Sequence, residues 1–165
     1  MTLNKDMLPN PEGLLSFSAH RASLSMNLHC TKKLNENNID INLNQWGIIY
    51  RLFKFGDFPE KAVPEKMFIP NKDIKKLIDN LEKKNLIERK QSKEETILSL
   101  TKESQDLIIK VIPLLFECAA LFIQNIPPEH MIITVNTLNK IFHNINPKEE
   151  LYVLHTPPHN IEMEN

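Results

Sequence analysis

Glycine is scarce in this chain of 165 residues, at 3 against 11 prolines. That argues against Gly-rich loops that cradle phosphates and against many tight hairpins. Cysteine is nearly as rare. Cys30 and Cys118 stand far apart in sequence, which suggests reduced thiols in a cytoplasm rather than a disulfide framework. Long apolar runs are missing too, and none approaches the roughly 20 residues that span a bilayer. The opening MTLNKDMLPNPEG is polar, without the apolar segment of a secretory signal. A cytoplasmic protein without a membrane partner is expected. Ser/His/Asp, Gly-x-Ser-x-Gly and phosphate-loop patterns are absent and the carboxylates are scattered, so no catalytic residue is assigned and no enzyme is expected. Neither a cofactor nor a metal is expected. His155 and His159 have metal-like spacing, but Pro157 and Pro158 between them forbid the helix that would align the rings.

What is present reads as an ordinary globular chain, with 41% hydrophobic and 25% charged residues. Its length suits one domain over 1–165. The formal charge of −1 is unevenly spread. Between Asn71 and Lys90 stand seven basic residues (Lys72, Lys75, Lys76, Lys83, Lys84, Arg89, Lys90) and four acidic ones, leaving that segment at +3 and the remainder at −4. A clustered basic face is the electrostatic footprint of a nucleic-acid partner. A solvated helix face with ordinary Lys/Glu mixing would give a similar count.

The most informative stretch is NKDIKKLIDNLEKKNLIERKQSKEETILSLT, residues 71–101. Ile74, Leu77, Ile78 and Leu81 recur at the spacing that lines one face of a helix, with Lys72, Lys76, Asp79 and Lys83 opposite. Asn85 tolerates the left-handed conformation of a helix end. Runs at 86–91 and 96–100 then flank the charged connector Ser92–Glu95, and period-2 alternation in the second predicts a β-hairpin. A basic amphipathic helix leading into a charged hairpin is the layout of a winged helix.

LIDNLEKKNLIERK, a wing, then LSLT resembles the MarR family of bacterial transcriptional regulators. NLNQWGIIYRLF upstream, with Gln45 and Trp46, is similar to that family's helix before the helix-turn-helix. The resemblance runs from the middle of the first helix to Ile145. It implies a dimeric winged-helix fold that binds DNA, often released by small ligands or oxidation. Two departures stand out. Pro64 and Phe68 occupy places where relatives put a small helix former and a small turn residue. Relatives also carry Asp-x-Arg in the wing, where this chain has Ser92-Lys93-Glu94 followed by Glu95.

In chain order, residues 1–12 read as a loose arm. Leu14, Leu15, Phe17, Leu24, Leu28 and Leu34 give a long helix its apolar stripe between Gly13 and about Asn35. Asn44 is the expected cap of a short helix from Gln45 to Phe53, with Trp46 as a packing residue. Pro64 is welcome only in a first helical turn, so a helix of little more than a turn should begin at Val63 or Pro64. Pro70 then falls near the start of the basic helix, with Asn71 as a plausible cap. Thr101, Ser104 and Gln105 mark another start, followed by a helix apolar nearly all round, which needs cover on more than one face. A second copy of the chain is the simplest cover, and Pro113 should kink the helix near Ile109. Pro127-Pro128-Glu129 opens the last helix, and 146–165 closes as an irregular or swapped tail.

The expected fold is therefore all-α with a small antiparallel β-hairpin. It is a winged helix-turn-helix at 43–101, flanked by dimerisation helices at 13–36 and 102–145. The expected partners are double-stranded DNA, a second copy in a homodimer and, by resemblance, a small-molecule effector. Lys72, Lys75 and Lys76 on the basic helix would meet phosphates or guanine edges, Asn71 an adenine or a phosphate, Lys83 is a further DNA-binding candidate, and Lys93 would reach the neighbouring groove. Acidic residues in the wing keep a second reading open: a winged-helix protein with weakened or lost DNA binding that acts through protein contacts. Cys30, close in sequence to His29, Lys32 and Lys33, is a candidate redox thiol, whereas Cys118 reads as a buried small hydrophobe.

Overall fold

The computed structural model describes residues 10–67 and 71–155, apart from the side chains of Pro11, Lys66, Asn71 and Lys72. Phe68, Pro70, His159 and the tail from 156 onward lie outside the described residues. The chain clusters into two compact units, Met1–Cys118 and Ala119–Asn165.

The first unit begins with helix α1, Leu15–Glu36. Only Cys30 and Leu34 of α1 are buried, so the apolar stripe formed by Leu15, Phe17, Leu24 and Leu28 remains exposed within the chain. Helix α2, Leu43–Phe55, starts two residues earlier than the periodicity predicts. Its cap is Asn42 rather than Asn44. The Asn42 side chain accepts from the Gln45 amide at 2.9 Å, and the Gln45 side chain accepts from the Asn42 amide at 3.0 Å. This reciprocal box satisfies two amides that a helix start otherwise leaves open, and its register puts Ile48, Ile49 and Leu52 in the core. Trp46 packs half-buried against that core with Tyr50 beside it, ring centroids 5.8 Å apart.

A short strand β1, Phe58–Pro59, then a 3-10 turn at Glu60–Ala62, lead into α3, Val63–Met67. Pro64 thus sits in the first turn of a five-residue helix, where its missing N–H costs nothing. Helix α4 runs Asn71–Lys83, with Asn71 already helical rather than its cap. The chain reverses through Asn85 at φ 55° into β2, Ile87–Gln91, and β3, Thr96–Leu100. Asn38 and Asn125 adopt the same left-handed conformation just beyond other helix ends, whereas α2 ends on Gly56 at φ 80°.

The sheet has three strands in the order β1-β3-β2, all antiparallel, not the hairpin alone. Two residues ending in proline carry no alternation to read, which is why β1 is invisible to the sequence pattern. Leu98 on the central strand is fully buried and pairs with Phe58 on one side and Arg89 on the other. Helix α5, Lys102–Phe122, starts at Thr101, whose hydroxyl donates to the Asn85 carbonyl at 2.7 Å. The buried Ser104 hydroxyl donates to the Leu86 carbonyl. These two bonds fix the start of α5 to the α4–β2 turn. Pro113 lies inside α5, and the helix continues through it.

The second unit carries helix α6, Pro128–Ile145, with Pro128 in the first turn. None of its residues is buried. The chain then folds back along it. Asn136 donates to the Leu154 carbonyl at 3.0 Å and accepts from the Leu154 amide at 2.7 Å, and Asn139 donates to the Tyr152 carbonyl at 3.1 Å. Side chains here give the returning backbone the pairing that a neighbouring strand would otherwise supply. Among the described residues, no helix is long and apolar enough to cross a membrane.

Candidate nucleic-acid interface

Helix α4 divides cleanly. Ile74, Ile78 and Leu81 are buried, while Lys75, Lys76, Asp79, Asn80 and Lys83 line an open depression on its outer side. Of the six residues expected to contact DNA, the structure therefore groups Lys75, Lys76 and Lys83 on one helix surface. Lys93 is exposed at the wing tip, on a separate element. Asn71 and Lys72 open α4, but their side chains lie outside the described residues.

Three of the seven basic residues that make this segment positive serve other purposes. Lys84 donates to the Asp40 carbonyl and pairs with its carboxylate at 2.8 Å, tying the end of α4 to the α1–α2 loop. Lys90 pairs with Glu88 at 2.9 Å and, more distantly, Asp57. Arg89 is the most committed. It forms a two-point fork on Glu60, Nε to Oε2 at 2.8 Å and Nη2 to Oε1 at 3.2 Å. It also reaches Asp79 at 2.6 Å and Glu82 through Nη1. These bonds hold the guanidinium pKa above its ordinary value, with the Glu60 hydrogen bond the largest cause. The charge available to a polyanion is therefore narrower than the sequence count, and it is concentrated on α4.

Gln45 is a residue of the site that composition and periodicity do not reveal. It is buried, and beyond the capping box its side-chain amide donates to Asn80 at 2.6 Å. One side chain thus fixes the start of α2 and the outer turn of α4. Its one legible signal is the Asn-x-x-Gln spacing of Asn42 and Gln45, a capping-box pattern.

In the wing, the Ser92 amide donates to the Glu95 carbonyl at 2.9 Å and closes the turn. Glu95 pairs with Lys61 of the 3-10 turn, and Glu94 is exposed. The wing is therefore anchored to the preceding elements by Glu95 in its turn and by Arg89 in β2.

The structure overturns the setting expected for Cys30. Both cysteines are buried, and Cys30 lies within hydrogen-bonding reach of Cys118. Burial pushes the Cys30 thiol up to about 12, and Cys118 adds to the shift. Lys33 turns to Glu117 at 2.7 Å instead of activating the thiol. Among the described residues, no group of three His, Cys, Asp or Glu could hold a metal ion.

No family model and no curated protein matches the sequence. Solved structures do match. An organohalide-sensing transcriptional regulator in its ligand-free form aligns with TM-score 0.76 at 15% identity, over 89% of this chain and 88% of that one. BpsR of Bordetella bronchiseptica, whose DNA binding is regulated by 6-hydroxynicotinic acid, aligns with TM-score 0.73 at 13% identity, over 82% and 97%. A MarR-family regulator from Silicibacter pomeroyi gives 0.72 at 14%, over 87% and 97%. The fold of this chain is the MarR-like winged helix.

Proposed function

We propose, from the premise of a MarR-like winged-helix fold, that the chain is a sequence-specific DNA-binding transcriptional regulator acting in the cytoplasm as a homodimer. The observation that carries this reading is α4. Its apolar face is locked into the core by Ile74, Ile78 and Leu81, and its outer surface presents Lys75, Lys76 and Lys83. A rigid, basic, solvent-facing helix suits a major groove, and a two-fold dimer would set two of them about one helical turn apart. Unsatisfied apolar surface supports the dimer. On α1 Leu15 and Leu28 are 57% and 63% exposed, and on α6 Ile133 and Ile145 are 62% and 74% exposed. Response to a small aromatic effector is part of the proposal, because two of the similar structures are of ligand-responsive regulators. The test is selection of bound sequences from random duplex DNA with the purified chain. Enrichment of a palindrome is expected, and a pool without enrichment would contradict the proposal.

A second reading keeps the fold and weakens DNA binding in favour of protein contacts. It is favoured by exposed Glu94 at the wing tip and by the pairing of Lys84, Arg89 and Lys90 within the chain. A selection that fails while a partner protein binds the α4 face would support it.

A further inference from the structure

We infer that Arg89 is a positioning residue, one that sets helix α4 and the wing at a fixed mutual angle without touching DNA itself. This rests on the DNA-binding reading above. The chain has three arginines, Arg21, Arg51 and Arg89, and the basic residues of α4 and the wing tip are all lysine. Lysine is a point charge suited to an exposed, mobile phosphate contact. Arginine presents a planar fork that can hold several carboxylates in fixed directions. At position 89 all three guanidinium nitrogens are engaged, in four hydrogen bonds. Glu60 comes from the turn after β1, Asp79 and Glu82 from adjacent turns of α4, and Arg89 itself from β2 of the wing.

The register shows how the span is achieved. Phe58, Leu98 and Arg89 form one rung across the three strands, and Glu60 lies two residues beyond Phe58. From this rung the guanidinium reaches across the sheet to Glu60 and toward α4. It is 19% exposed, so these contacts are less screened than the lysine pairs on the surface. One cation among three carboxylates is a poor arrangement for attracting DNA. It is a good one for holding three elements together.

Two variants of the full-length chain test this. Arg89→Lys keeps the charge and removes the fork. In the second, Arg89→Met is combined with Glu60→Gln, Asp79→Asn and Glu82→Gln, which removes the network without leaving its carboxylates unpaired. The second variant also gains two positive charges per subunit, so charge alone predicts tighter DNA binding. Positioning predicts the reverse, a loss of about tenfold or more, where tenfold corresponds to 1.4 kcal/mol. Amide hydrogen exchange of the DNA-free chain supplies a readout independent of DNA. Faster exchange at Ser92 and Ile97 is expected in both variants, with the α5 amides unchanged. Unchanged wing exchange, or tighter DNA binding by the network-free variant, would overturn the inference. If the wild-type chain binds no duplex, the DNA reading fails separately, and wing exchange alone decides whether Arg89 couples wing to helix.

Discussion

At the residue scale, neighbouring side chains of one charge have different roles. Lys75 and Lys76 face solvent, whereas Lys84, eight residues along, spans to Asp40 and is only 26% exposed. Sequence counts all three as equal contributions to a basic segment, because pairing over 44 residues leaves no local trace. If Lys75 and Lys76 meet phosphates, Lys75→Ala with Lys76→Ala should flatten the salt dependence of DNA binding by roughly 0.9 for each phosphate no longer neutralised. Thermal unfolding should stay within a few degrees of wild type, since both side chains are exposed. An unchanged slope would move the DNA-binding surface elsewhere. Cysteine gives a second expectation. Burial raises the Cys30 pKa from an ordinary 9.0 to about 12, so the folded state holds the proton more tightly than the unfolded one. That contribution to stability is intact below about pH 9 and is lost as pH rises toward 12. At neutral pH, iodoacetamide should leave both thiols unmodified in the native chain and alkylate two after denaturation, read by mass spectrometry. Rapid native modification of Cys30 would restore it as a reactive thiol.

At the element scale, what was legible had a period. Ile74, Ile78 and Leu81 announce α4, and the alternation from Thr96 to Leu100 announces β3 with the bounds observed. Proline placed the starts of α3 and α6, and Asn85 marked the turn between α4 and the hairpin. The missed features are tertiary. β1 is too short to alternate, Gln45 acts through Asn80 at a separation of 35 residues, and Arg89 reaches Glu60 across 29. The candidate site was half legible for the same reason: its lysines lie on a periodic helix, and the residues that hold that helix in place do not. The wing offers a direct test. By the resemblance read from the sequence, exposed Glu94 is expected in the place of a wing arginine, and a carboxylate beside phosphate is repelled. Glu94→Arg should raise affinity at low salt and steepen the dimer's salt slope by roughly two units, about 0.9 for each new phosphate contact. No change in either quantity would remove the wing tip from the DNA-binding surface.

At the scale of the whole molecule, the exposed apolar side chains of α1 and α6 call for cover that each unit by itself does not supply. Light scattering at micromolar protein should give about twice the chain mass of 19.2 kDa. A folded species of single-chain mass would leave those faces to another partner. The central proposal is that the lysines of α4 bind DNA through its phosphates. The most direct measurement is the affinity of the purified chain for duplex DNA across a series of salt concentrations. A linear fall of log K with log salt is predicted, each phosphate contact adding about 0.9 to the slope. Affinity that is absent at low salt, or that does not change with salt, would contradict it.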